Sequence, residues 1–110
     1  MSKYILTYTK TKFYPLDPNI EDIKIEDIAH SLSLMTRANG HFKHFYSVAQ
    51  HAINCYKEAK AQGFSQRVQL ACLLHDSSES YISDLTRPVK SQLIEYFPIE
   101  EKLQNLIYQR

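Results

Sequence analysis

"LACLLHDSSES", residues 70–80, decides how this chain reads. An apolar run from Leu70 to Leu74 ends on His75-Asp76, and Glu79 follows three residues after Asp76. At helical periodicity Val68, Ala71, Cys72 and His75 share one face. Glu79 lies a turn beyond His75 on that face, and Asp76 stands about 100° round. The spacing predicts one helix from near Ser65 to about Tyr81 that aims His75 and Glu79 inward. Imidazole nitrogen and carboxylate oxygen on adjacent inward positions make good ligands for a divalent metal.

A further ligand has to come from another helix. The segment from Ser47 to about Gln62 has the apolar stripe Val48, Ala52, Cys55 and Ala59, with His51 beside it. Ser47 is a suitable cap and Gly63 a suitable stop. His51 and His75 are one helix, a turn and most of a second helix apart, so two antiparallel helices would bring their rings face to face. Histidine is only intermediate in burial, and a lone one beside an apolar stripe is more often a packed boundary residue than a ligand. By the same standard Glu79 and Asp84 read equally well as solvated helix-end charges.

Upstream, Ile25, Ile28, Leu32 and Met35 recur at helical spacing and predict a first helix over about 25–36. Glu26 and Asp27 suit its positive end. Arg37 follows, and Asn39-Gly40 is a stop signal. Residues 4–14 are rich in Tyr, Thr and Phe and read as an extended segment or small hairpin, closed by Pro15. Downstream, residues 83–90 with Arg87-Pro88 read as a loop. A last helix starts near Ile99, with Ile99, Leu103, Leu106 and Ile107 on one side, and continues to Arg110.

The chain has 110 residues, enough for a single domain with one core. Hydrophobic residues are 44% and the formal net charge is +1, from 13 basic and 12 acidic residues. That balance gives no reason to expect a nucleic acid polymer or an anionic membrane as partner. The opening residues lack the apolar core of a signal peptide. No run reaches transmembrane length. Cys55 and Cys72 both fall in apolar helical patterns and read as buried free thiols, which suits a reducing cytoplasm. Two glycines and short apolar repeats favour a mostly helical domain.

Several stretches occur together and in order: "IEDIAHSL" from Ile25, "RANGH" from Arg37, "FYSVAQH" from Phe45, "LLHDSSESY" from Leu73 and "DLTRPVK" from Asp84. This series resembles the HD-domain metal-dependent phosphohydrolases, and within them the small bacterial and phage branch similar to 5'-deoxynucleotidases. The upstream "YTKTKFYPLDP" resembles the lead-in of that branch, so the likeness covers about residues 8–110. It implies an all-α HD-domain helical bundle occupying residues 1–110, after a short extended N-terminal segment. It implies hydrolysis of a nucleotide phosphoester, with a 5'-deoxymononucleotide as the first substrate to try. It also implies one divalent transition metal (manganese, iron, cobalt, nickel or zinc), ligated by His51, His75 and Asp76. Glu79 then matches the family's catalytic glutamate, Asp84 its second acidic residue, and Arg37 its phosphate-binding arginine. His30 and His41 belong to the recurring pattern, yet they and His44 carry no chemistry here beyond packing and hydrogen bonding.

The pattern departs from the family at one point. The family's last metal ligand is an aspartate on a later helix, and no aspartate follows Asp84. The expectation is a bundle lacking its C-terminal helices, as a truncated piece, a short natural form or a chain completed by a partner. The last helix has no cap in the sequence and would leave its apolar stripe exposed, so self-association is expected. A rival function follows from the missing ligand: a catalytically weak or inactive module that keeps the pocket and binds a nucleotide or a protein. A purely structural helical domain would require all these motifs to coincide by chance.

Overall fold

The computed structural model describes residues 3–110. They form a mostly helical assembly with one two-stranded sheet. Strands β1 (Ile5–Leu6) and β2 (Lys12–Phe13) pair antiparallel, Ile5 opposite Phe13, so the extended segment is indeed a hairpin. Its tip is bound to the first helix, α1 (Ile25–Leu34), through the buried Asp27 carboxylate. Thr9 donates to Asp27 from its backbone N–H at 2.7 Å and from its hydroxyl at 3.0 Å.

Helix α1 stops at Leu34, two residues before the expected end. Thr36 and Ser47 then form an isolated antiparallel bridge. The Arg37 N–H donates to Tyr46 at 2.8 Å and the Val48 N–H to Met35 at 2.8 Å. This clamp closes the intervening loop and sets Arg37 beside the start of α2 (Val48–Ala61). Ser47 caps α2 by accepting from the Gln50 N–H, as its sequence position predicts. Gly63, after the helix, has φ +78°, a left-handed value that costs a glycine little.

The third predicted helix is broken. Helix α3 covers Gln66–Leu74 and the short α4 covers Glu79–Ile82. Between them the backbone tightens: the N–H groups of Ser77, Glu79, Ser80 and Tyr81 each bond the carbonyl three residues back. In such 3-10 geometry residues three apart lie above one another. Asp76 and Glu79 therefore take the inward face together, not His75 and Glu79 as continuous α-helical spacing requires. His75 keeps 38% of its side chain exposed, whereas Asp76 keeps 20%. Gln104 splints the break: its side-chain amide donates to the Leu74 carbonyl at 2.7 Å and its Oε1 accepts from the Ser78 N–H at 3.0 Å. The Ser78 N–H would otherwise be orphaned beside the buried Ser77, while the Leu74 carbonyl, already accepting from the Ser77 N–H, gains a second donor.

Two boundaries downstream also differ from expectation. Residues 83–90 are not all loop, because α5 spans Arg87–Lys90 with Pro88 in its first turn, where proline needs no donor. Helix α6 begins at Tyr96 and ends at Gln109, with Leu103 and Ile107 buried. Those two pack into one core with Phe13, Ile23, Ile28, Leu32, Val48 and Tyr81. The apolar stripe of α6 is therefore covered within the chain, and the argument for self-association from an exposed stripe falls. Phe13 stacks on Tyr81 with centroids 3.9 Å apart, which fastens the hairpin to the segment carrying Glu79. Among the described residues no helix is long and apolar enough to cross a membrane.

Candidate metal centre

His51 sits on α2, and His75 and Asp76 open the tightened stretch after α3. Packing of α2 along α3 brings the two imidazole rings to 5.3 Å between centroids. The Asp76 Oδ2 lies 3.0 Å from His75 Nε2, 3.5 Å from His51 Nε2 and 3.7 Å from an Arg37 guanidinium nitrogen. Four residues from three separate segments thus meet at one carboxylate oxygen. His75 Nδ1 is 2.6 Å from the Cys72 carbonyl. A carbonyl only accepts, so Nδ1 carries a proton, and Nε2, which faces Asp76, is the nitrogen that would ligate an ion once its own proton is lost.

The electrostatics follow from this crowding. Burial, and then the Arg37 charge, push His51 below its ordinary range. The Asp76 hydrogen bond outweighs burial at His75 and pushes it up. Burial alone would raise Asp76, but the hydrogen bond and charge of His75, with His51 and Arg37, hold it below the usual carboxylate range.

Glu79 and Asp84 border the same space. A cavity of about 570 Å³ is lined by Arg37, Asp76, Glu79 and Asp84, with Arg87, Lys90 and Phe97 completing its wall. Glu79 is only 5% exposed. Burial, then the charges of Asp76 and Asp84, push its carboxyl up to about 9, so it is protonated at neutral pH. Its Oε2 has no hydrogen-bond partner among the described residues. The loop that delivers Arg37 is strained: Ala38 has φ +52° and Asn39 φ +53°, left-handed values that disfavour a side chain with a Cβ.

The structure thus gathers every residue singled out in the sequence for metal, phosphate or proton chemistry. It leaves the remaining histidines out. His30 is exposed on α1 and stacks on Tyr8 with centroids 3.9 Å apart, and α1 ends before Arg37, so the two share no helical face. His41 and His44 are exposed on the loop before α2.

Three participants were not singled out. Arg87 and Lys90 lay in residues read as loop; their three-residue spacing would have placed them on one face had a helical turn been recognised. Lys90 is engaged, pairing with Glu100 at 3.0 Å, whereas Arg87 makes no ion pair among the described residues. Cys55 was read as part of an apolar stripe. It is half-buried, and its Sγ lies 3.6 Å from His51 Nε2. The ligand atoms of His51, Cys55 and His75 lie within 4.8 Å of one another and form a group able to hold a metal ion. The signal was available in the four-residue step from His51 to Cys55. Burial, and then the Asp76 charge, raise the Cys55 thiol.

Two imidazoles and a thiol, with a carboxylate against the imidazole pair, fit a divalent transition ion and suit calcium or magnesium poorly.

No family model matches this chain. It is 40% identical over 107 residues to the uncharacterized protein YfdR of Escherichia coli (strain K12), an alignment covering 97% of this chain and 57% of the relative. It is 38% identical over 101 residues to an uncharacterized protein of Rhodobacter capsulatus, covering 86% of this chain and 51% of the relative. The chain spans about half the length of the curated relatives it matches.

Proposed function

We propose that this chain carries the catalytic half-site of an HD-type metal-dependent phosphohydrolase that releases phosphate from a nucleotide, a 5'-deoxymononucleotide first among candidates. The observation that carries the proposal is the meeting of His51, His75 and Arg37 at the Asp76 carboxylate, on the rim of a cavity bordered by Glu79 and Asp84. Structural histidines have no need of that company.

His51, His75 and Asp76 would hold the ion. A bound divalent ion lowers the pKa of water toward neutrality and polarises a phosphoryl oxygen. Arg37 offers a planar, permanently charged fork to the phosphate, and Arg87 supplies a second guanidinium from another segment of the wall. Glu79 directs its unpartnered Oε2 to orient the attacking water. As the new P–O bond forms and the ester P–O bond breaks, Asp84 receives the water proton and returns it to the departing oxygen. Phe97, half exposed, provides an apolar wall for a base or sugar.

The test is phosphate release from a panel of 5'-mononucleotides with added manganese, cobalt or zinc, beside a His75→Ala/Asp76→Ala double variant. Release that disappears in the double variant supports the reading. Release no greater than that of the double variant overturns it for this chain and favours a binding module, which nucleotide binding by calorimetry would then register.

A further inference from the structure

We propose that Cys55 is a thiolate donor to the ion held by His51, His75 and Asp76, and that the centre is therefore built for zinc or a similarly thiophilic ion. The inference rests on the reading of that cluster as a metal centre. It names a donor that the resemblance does not assign.

Helix α2 places His51 and Cys55 four residues apart, so their side chains meet on one face one turn apart. Their separation has the value that metal coordination requires. Zinc bonds of about 2.3 Å to sulfur and about 2.0–2.1 Å to nitrogen, at a tetrahedral angle, put the two donor atoms about 3.6 Å apart. Cys55 Sγ and His51 Nε2 are 3.6 Å apart. His75, whose proton is fixed on Nδ1 by the Cys72 carbonyl, completes a triad with its ligand atom within 4.8 Å of the other two. Asp76 approaches the same imidazole pair at 3.0 and 3.5 Å. Three donors thus share one point, two imidazole nitrogens and one sulfur, with the Asp76 carboxylate against the imidazole pair.

Cys55 Sγ is within hydrogen-bond reach of His51 Nε2, a contact that coordination would replace. Cys55 forms no disulfide and is not among the buried side chains of the core. Thiolate and carboxylate together neutralise a divalent ion, leaving the Arg37 and Arg87 charges for an anionic substrate. A thiolate also discriminates: it favours zinc, cobalt or iron and disfavours manganese and magnesium. Cys72 lies outside the triad and serves as the internal control.

The experiment is titration of the fully reduced 110-residue chain with cobalt(II), read by absorption. The expected result is a sulfur-to-cobalt charge-transfer band in the near ultraviolet. Cys55→Ala and Cys55→Ser both lose the band and bind cobalt at least about tenfold more weakly, the lower end of what losing even an outer-sphere partner costs. Cys72→Ala keeps the band. Zinc displaces the cobalt and equimolar manganese does not. Circular dichroism of the metal-free variants establishes that they remain helical. Cobalt binding without the band, or with unchanged affinity in both Cys55 variants, overturns the Cys55 assignment and leaves the centre of His51, His75 and Asp76 standing. Wild-type chain that binds cobalt no better than His75→Ala overturns the metal centre itself, and the Cys55 assignment with it.

Discussion

Asp27 and Glu79 are both buried carboxyl groups, 3% and 5% exposed, yet they sit in opposite circumstances. Asp27 closes the hairpin onto α1 and receives two hydrogen bonds from Thr9. Glu79 faces the cavity with one oxygen unpartnered among the described residues, and burial, then the charges of Asp76 and Asp84, push its carboxyl up to about 9. A buried polar group that the fold satisfies is a fastening. One that the fold leaves unsatisfied, at a cost in stability, is available to something else. The hairpin end satisfies its buried carboxylate and has one left-handed residue, Lys10 at φ +67°, whereas the end carrying Asp76 and Glu79 collects an orphaned oxygen, a broken helix and a loop with two successive left-handed residues.

The largest expected effect tests Glu79. Glu79→Gln should lower phosphate release by about 100-fold or more, the scale on which misplacing a reacting group costs rate, because the attacking water loses the oxygen that orients it. Metal-free Glu79→Gln should at the same time be more thermostable than the parent. The sign follows from linkage. The unfolded carboxyl loses its proton near 4.5, while the folded one keeps it to about 9. Folding therefore takes up a proton between those values, and the parent loses stability as pH rises through that window. Thermal melts of both proteins from pH 5 to pH 9 should show the gap widening with pH. A gap that stays constant would mean that Glu79 is satisfied in the same sense as Asp27.

The opposite outcome is expected at Asp27. Asp27→Ala removes both hydrogen bonds from Thr9 and should cost about 3–6 kcal/mol, since hydrogen bonds to charged groups contribute about 1.5–3 kcal/mol each. Denaturant unfolding measures the loss. Phosphate release per folded molecule should stay within about twofold of the parent, because Asp27 touches nothing in the cavity. A large fall in turnover with an intact fold would break the distinction between the two carboxyl groups.

The smallest effect concerns the loop carrying Arg37. Ala38→Gly should stabilise the protein by up to about 1 kcal/mol, because glycine adopts φ +52° without the Cβ penalty. The freer loop should hold Arg37 less firmly, so KM for a mononucleotide should rise while kcat changes little. A rise in KM without any gain in stability would mean that the left-handed turn is not strained.

Much of this arrangement was legible because its determinants are local. The periodicity of Val48, Ala52 and Ala59, the Ser47 cap and the Gly63 stop define α2 without reference to anything distant. The aromatic and threonine-rich start gives the hairpin. The residue types His51, His75, Asp76, Glu79, Asp84 and Arg37 carry their chemistry in their side chains, so naming them needed no coordinates.

What the sequence did not disclose depends on partners far along the chain. The break after Leu74 is held by Gln104, thirty residues away, and nothing near His75 announces it. That break decides that Asp76, rather than His75, turns inward with Glu79. Cys55 looked apolar until packing of α2 on α3 put His75 within reach of the His51–Cys55 pair. Arg87 and Lys90 became wall residues only when α5 folded over the cavity. The sequence by itself determined which groups can do chemistry and which segments are helical, since propensity, capping and periodicity act over a few residues. The tertiary structure decided which of those groups meet, because burial and long-range hydrogen bonds select one local geometry among several that the chain permits.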